Sequence, residues 1–77
     1  MREKLMTILK ELRPEVDFEK ETKLVDEAIL DSFDMVSLIG EINETFAVDI
    51  SFDDIEPENF NSLDEMVRLV ERLKQEA

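Results

Sequence analysis

Five apolar side chains, Met35, Leu38, Ile39, Ile42 and Phe46, recur at i, i+3, i+4, i+7 and i+11, the spacing that lines one face of an α-helix. Two further stretches repeat the pattern. Leu5, Ile8, Leu9 and Leu12 predict a first helix over about Arg2 to Arg13, stopped by Pro14, and Leu63, Met66, Val67, Val70 and Leu73 predict a last one. No single stripe can leave water alone, so the three must share a core. A chain of 77 residues makes one domain at most, taken as 1–77, and hides a small share of its surface, which leaves little room for a deep enclosed active site. One Gly, two Pro, 43% apolar and 39% charged residues fit the same helical reading.

The connections carry their own signals. Residues 14–30 lack a sustained period but include Val16, Phe18, Leu24, Val25, Ile29 and Leu30, which predicts a long loop pinned by apolar anchors. Loops of that length in compact domains are more often functional than idle. With Asp31 as N-cap, Ser32 opens the second helix and Asp34 falls at its third position, so both carboxylates meet unpaired N–H groups and the positive end of the dipole. Gly40 in that helix costs about 1 kcal/mol relative to Ala; close approach by another chain or a ligand would explain it, and so would drift. Asp49 to Phe60 is turn-rich, with Phe52, Ile55 and Phe60 as expected apolar contacts and Pro57 limiting any helix to about two turns. Ser62-Leu63-Asp64-Glu65 matches a capping box, and Arg68, Arg72 and Lys74 place cations towards the last helix's C-terminal end. The expected fold is all-α: a small four-helix bundle of three longer helices and one short third helix, with a long loop between helices 1 and 2.

The chain has no Cys and no His, which excludes disulfides, thiolate nucleophiles, imidazole bases and the usual zinc ligand sets. No apolar run approaches the roughly 20 residues that span a bilayer, and the segment from Met1 to Leu12 is amphipathic rather than a leader. The default is a soluble, cytoplasmic monomer. The formal charge of −12 is unevenly spread: between Lys23 and Arg68 there are thirteen acids and no base. That segment repels nucleic acid and anionic membrane. It reads either as a solvated surface that maintains solubility or as a docking face for basic partners.

The acids between Asp49 and Phe60 suggest calcium, but an EF-hand loop beginning at Asp49 needs Gly at its sixth place and Glu at its twelfth, where Asp54 and Phe60 stand. No metal site is expected. Carboxylate pairs without a cleft to desolvate one of them do not support acid–base catalysis. Four serines remain, each with capping or solvation as its ordinary role. Ser62 is explained by its capping box, Ser37 lies on the polar side of the second helix, and Ser51 sits in a loop. Ser32 differs, because it follows a better cap and stands where a bound phosphate would meet a helix N-terminus.

At Asp31-Ser32-Phe33-Asp34, followed by Val36, Leu38-Ile39, Ile42 and Phe46, the chain resembles the acyl carrier proteins, whose hallmark is Asp-Ser-Leu-Asp opening the second helix. The likeness runs through all the expected elements. It implies a non-enzymatic carrier in which Ser32 accepts 4′-phosphopantetheine from coenzyme A through a separate magnesium-dependent phosphopantetheinyl transferase. The arm's thiol then holds acyl intermediates as thioesters for fatty-acid, polyketide or related biosynthesis. By the same resemblance Asp31, Asp34, Glu41, Glu44, Asp53, Asp54 and Glu56 face basic patches on the transferase and on acyl or aminoacyl ligases and synthases. The chain departs from carriers of fatty-acid synthesis, which typically have Gly-Ala before the Asp-Ser, Glu at the place of Ser37, Met at that of Gly40, and Ile-Pro-Asp where Ile50-Ser51-Phe52 stands. Ile29-Leu30 is closer to carriers serving aminoacyl or specialised acyl ligases, the D-alanyl carriers included. A D-alanyl or other aminoacyl carrier, and a structural interaction module without the arm, are the alternatives.

Overall fold

The structure, a computed structural model describing residues 1–76, consists of four α-helices, with no strand among the described residues; the last residue of the expected 1–77 domain lies outside them. Helix α1 spans Arg2–Leu12 and buries Leu5, Ile8 and Leu9. Arg13 leaves the helical region at φ −137°, as the proline after it requires. Helix α2 spans Ser32–Phe46 and buries Leu38, Ile42 and Phe46, with Met35 and Ile39 half-buried at its edges. It ends at Ala47, in the left-handed region at φ 54°. Asn43 organises this exit: its carbonyl accepts from the Val48 N–H at 3.2 Å, and its side chain accepts from the Ile50 N–H at 2.9 Å.

The short third helix differs from expectation. A 3₁₀ turn at Phe52–Asp54 comes first, and α3 is a single turn, Pro57–Phe60. Pro57 is its first residue, so the proline opens this helix rather than limiting it, since the N–H it lacks would be unpaired there anyway. Of the three expected apolar contacts only Phe60 enters the core; Phe52 is 88% exposed and Ile55 is also exposed. The 3₁₀ turn accounts for this, because the Ser51 N–H and hydroxyl both donate to Asp54, at 3.1 and 3.0 Å, and hold the segment in a conformation that directs Phe52 outwards.

Helix α4, Leu63–Glu76, starts at Ser62 as read. The Glu65 N–H donates to the Ser62 hydroxyl at 3.2 Å, which in turn donates to the Glu65 carboxylate at 3.2 Å. The return bond thus comes from the hydroxyl, not from the Ser62 backbone. Leu69, outside the expected stripe, is buried, while Val67 and Leu73 are half-buried. The apolar face is wider than one stripe because α4 packs against both α1 and α3, and α1 also packs against α2. With extents of 33 × 23 × 20 Å the molecule is about two helix diameters thick, so one layer of buried side chains serves every helix. Phe18, Leu24 and Phe60 lie within it beside the helical leucines.

The connection from α1 to α2 is irregular yet anchored. Val16, Phe18, Leu24 and Leu30 are buried. Its polar anchor is Asn61, between α3 and α4: the side-chain oxygen accepts from the N–H groups of Val25 and Asp26, both at 3.0 Å, its amide donates to the Asp26 carboxylate at 3.1 Å, and its own carbonyl accepts from the Leu24 N–H at 2.9 Å. Asn61→Ala leaves two part-buried donors without their acceptor. It is expected to cost about 2–3 kcal/mol in denaturant unfolding, with the main loss of protection at Val25 and Asp26. Gly40 has the opposite sign: no neighbouring atom lies within 4 Å of where a Cβ would stand, so nothing within the chain requires glycine. Gly40→Ala is expected to raise stability by about 0.5–1 kcal/mol in the same measurement.

Candidate functional site

The junction of the long loop with α2 gathers three of the residues singled out in the sequence, Asp31, Ser32 and Asp34. Asp31 is the N-cap, in an extended conformation (φ −92°, ψ −176°), and its side chain accepts from the Asp34 N–H at 2.9 Å. Asp34 returns the bond, accepting from the Asp31 N–H at 3.2 Å. The pair forms a reciprocal capping box. Ser32 is the first residue of α2 and is exposed. The box closes across it without using its hydroxyl, which leaves that hydroxyl at the helix N-terminus, beside backbone donors that favour a negative group.

Arg13 completes the junction and was not among the residues expected here. Its guanidinium donates to Asp34 at 2.7 Å, to the Ile29 carbonyl at 3.0 Å and to Glu15 at 2.8 Å. Hydrogen bonds first to Glu15 and then to Asp34 push the guanidinium pKa further up. The carboxyl of Glu15 is pulled below its usual range, by its own backbone N–H first and then by Arg13. No sequence spacing announces a bond across 21 residues; only the return of the loop to the end of α1 creates it.

The seven acids expected to meet partners separate into two groups. Asp31, Glu41, Glu44, Asp53 and Glu56 are exposed. Asp34 and Asp54 are half-buried and engaged within the molecule, Asp34 with Arg13 and Asp54 with Arg72 at 3.0 Å. Crowding among the acids is evident at Glu56, whose carboxyl is pushed above its usual range by Glu58, through a hydrogen bond and like charge, and then by Asp53 and Asp54. Among the described residues no cluster of acids is arranged to hold a metal ion.

Phe33 is 84% exposed and Val36 73% exposed. At 100° per residue they share a face with Gly40 and Glu44, opposite the stripe that α2 buries. That signal was present in the sequence as apolar residues on the polar side of the helix. Both are large apolar side chains held in water beside the presented serine. No described helix is long and apolar enough to cross a membrane.

A search of curated proteins returns no match to this chain. The family model described as the phosphopantetheine attachment site matches residues 2–70, which spans the α1 stripe, the loop, the capped start of α2 and most of α4. With the helical bundle and the presented serine, this match shows that the chain belongs to the phosphopantetheine attachment-site family, the carrier domains to which 4′-phosphopantetheine is covalently joined.

Proposed function

We propose that Ser32 is the attachment residue and that the chain works as an acyl carrier protein, holding acyl intermediates as thioesters for fatty-acid, polyketide or related biosynthesis. The observation that carries this reading is the capping box that closes without the Ser32 hydroxyl, which leaves an exposed nucleophile on a rigid helix start. In the attachment step the Ser32 oxygen bonds to the phosphorus on the pantetheine side of the coenzyme A pyrophosphate. The hydroxyl proton passes to a base of the transferase, and 3′,5′-adenosine bisphosphate departs. The phosphodiester left behind carries a negative charge at the helix N-terminus, worth about 0.3–1 kcal/mol when exposed. The chain itself performs no bond chemistry on its cargo; it delivers the thioester to successive enzymes at high effective concentration.

The partners of this reading are the phosphopantetheinyl transferase and basic-surfaced ligases and synthases. Exposed Asp31, Glu41, Glu44, Asp53 and Glu56 supply long-range attraction, while Phe33 and Val36 supply apolar contact once docked. Such charges accelerate encounter more than they tighten the complex, which suits a carrier that must leave each enzyme. Asp34 and Asp54, already engaged, contribute to the field rather than to direct pairing. Loading assays with fatty-acyl and aminoacyl ligases distinguish an acyl from a D-alanyl or other aminoacyl cargo.

Incubated with coenzyme A, magnesium and a transferase, the protein is expected to gain one phosphopantetheine by intact mass, and Ser32→Ala to gain none. Thermal and denaturant melts of Ser32→Ala are expected within about 0.5 kcal/mol of the parent, because Ala is a good helix former at an exposed first turn. Asp31→Ala is expected to cost about 1 kcal/mol through the lost cap and to remain modifiable. Gain of the arm's mass by Ser32→Ala refutes the assignment.

The modification rate at fixed magnesium is expected to fall as salt rises from 0.1 to 1 M, over which the Debye length shrinks from about 10 to about 3 Å. Glu44→Lys is expected to slow it more than Glu3→Lys, since Glu3 lies on α1 outside the acidic segment. A rate flat in salt contradicts electrostatic docking.

A further inference from the structure

Irregular backbone fixes a side chain only as well as the bonds that hold it, and nineteen residues without helix lie between Leu12 and Ser32. Arg13 directly follows α1, so a rigid element places its Cα. Its Nη1 donates both to the Ile29 carbonyl, at 3.0 Å, and to Asp34 Oδ2, at 2.7 Å. One side chain therefore ties the end of α1 to the residue three before Ser32 and to the residue two after it. The segment before Ser32 also carries backbone strain. Ala28 has φ 56°, unfavourable for a residue with a Cβ, and it is enclosed by bonds from its N–H to the Val25 carbonyl and from the Leu30 N–H to the Leu24 carbonyl, both 3.0 Å. Asp34 Oδ2 is also the oxygen that accepts the Asp31 N–H, so Arg13, Asp34 and Asp31 form one connected chain of bonds bracketing the serine.

We propose that Arg13 is a positioning residue for the attachment reaction at Ser32, acting through Asp34 and the Ile29 carbonyl to hold the hydroxyl in the geometry the transferase uses. The inference rests on Ser32 as the attachment residue. Displacement of about 1 Å in a reacting group is enough to slow a transfer step severely. Charge alone argues for the opposite effect: Arg13 is a cation beside a face offered to basic partners, and its loss makes that face more acidic and encounter easier. Positioning and steering thus predict opposite changes, one in turnover and one in apparent affinity. The guanidinium also walls an open groove of about 520 Å³ with Val16, Lys20, Ala28 and Ile29, so truncating it opens no cavity in the core.

The test compares the full chain with Arg13→Met, Arg13→Lys and Glu15→Gln, measuring kcat and KM for phosphopantetheine attachment and amide exchange in the unmodified protein. Arg13→Met is expected to lower kcat about three- to tenfold with KM unchanged or lower, and to speed exchange at Asp34 and Met35 while leaving Leu69 and Val70 unaffected. Arg13→Lys is expected to restore part of the rate, because an ammonium keeps the charge without the planar fork. Glu15→Gln, which leaves the bonds to Asp34 and Ile29 intact, is expected to match the parent. If the parent never gains the arm, the Ser32 reading fails, and the exchange data still decide whether Arg13 fixes the junction. Unchanged kcat with unchanged exchange at Asp34 and Met35 overturns the proposal, as does equal acceleration in every helix, which would mark Arg13 as a contributor to global stability alone.

Discussion

Asn61 is the buried polar side chain on which the long connection depends. Its oxygen serves the backbone of Val25 and Asp26 while its carbonyl serves Leu24, so the middle of the loop is bonded to the junction of α3 and α4. Backbone donors in such a segment must find partners before Leu24 and Leu30 can be buried. With those partners supplied, the loop behaves as part of the core. Its far end is thereby delivered to Asp31 at a fixed place on the bundle, which lets a long irregular segment precede a precisely capped helix.

Charge follows a related division. The acidic middle of the chain is balanced at selected points by cations from its ends: Arg13 meets Asp34 and Arg72 meets Asp54. Arg2 meets Asp64 across the two terminal helices, an ion pair that holds the Asp64 carboxyl below its usual range. Lys74 and Lys10 bond the carbonyls of Phe46 and Val16, closing the end of α2 and the start of the loop. Exposed pairs of this kind contribute little stability individually. Their consequence is directional. Each pair sets one cation against one acid of the middle segment, and acids without such partners, Glu41, Glu44, Asp53 and Glu56, are left facing solvent. Folding thus decides which acids of the middle segment stay uncompensated.

The helix start at Ser32 shows how local and global determinants meet. Asp31 as cap, Ser32 as first helical residue and Asp34 at the third position depend on neighbours within four residues, and each is legible from the chain. Phe33 and Val36 were legible too, as apolar residues opposite a well-formed stripe, although the resemblance to carriers alone singled them out. Phe52 and Ile55 were misread as core contacts because hydrophobicity does not reveal which way a short turn directs a side chain. The Ser51 bonds to Asp54 decide that, and one residue of rotation separates a core contact from an exposed one. Leu69 was passed over for a related reason: a stripe is defined against one neighbour, and α4 has two.

The sequence by itself determined the all-helical class, the three amphipathic faces, the serine behind its Asp31 cap, the acidic middle and the absence of cysteine and histidine side chains. These depend on periodicity, short-range hydrogen bonding and composition, all of which act over a few residues or none. Tertiary structure alone decided that Asn61 anchors the loop, that Asp34 and Asp54 are engaged by cations while Glu41, Glu44, Asp53 and Glu56 face solvent, that Gly40 lies in open space, and that Arg13 reaches across 21 residues to Asp34. Each of these depends on the distance between groups far apart in the chain. That distance is set only when the shared core forms and brings the ends of α1 and the loop together.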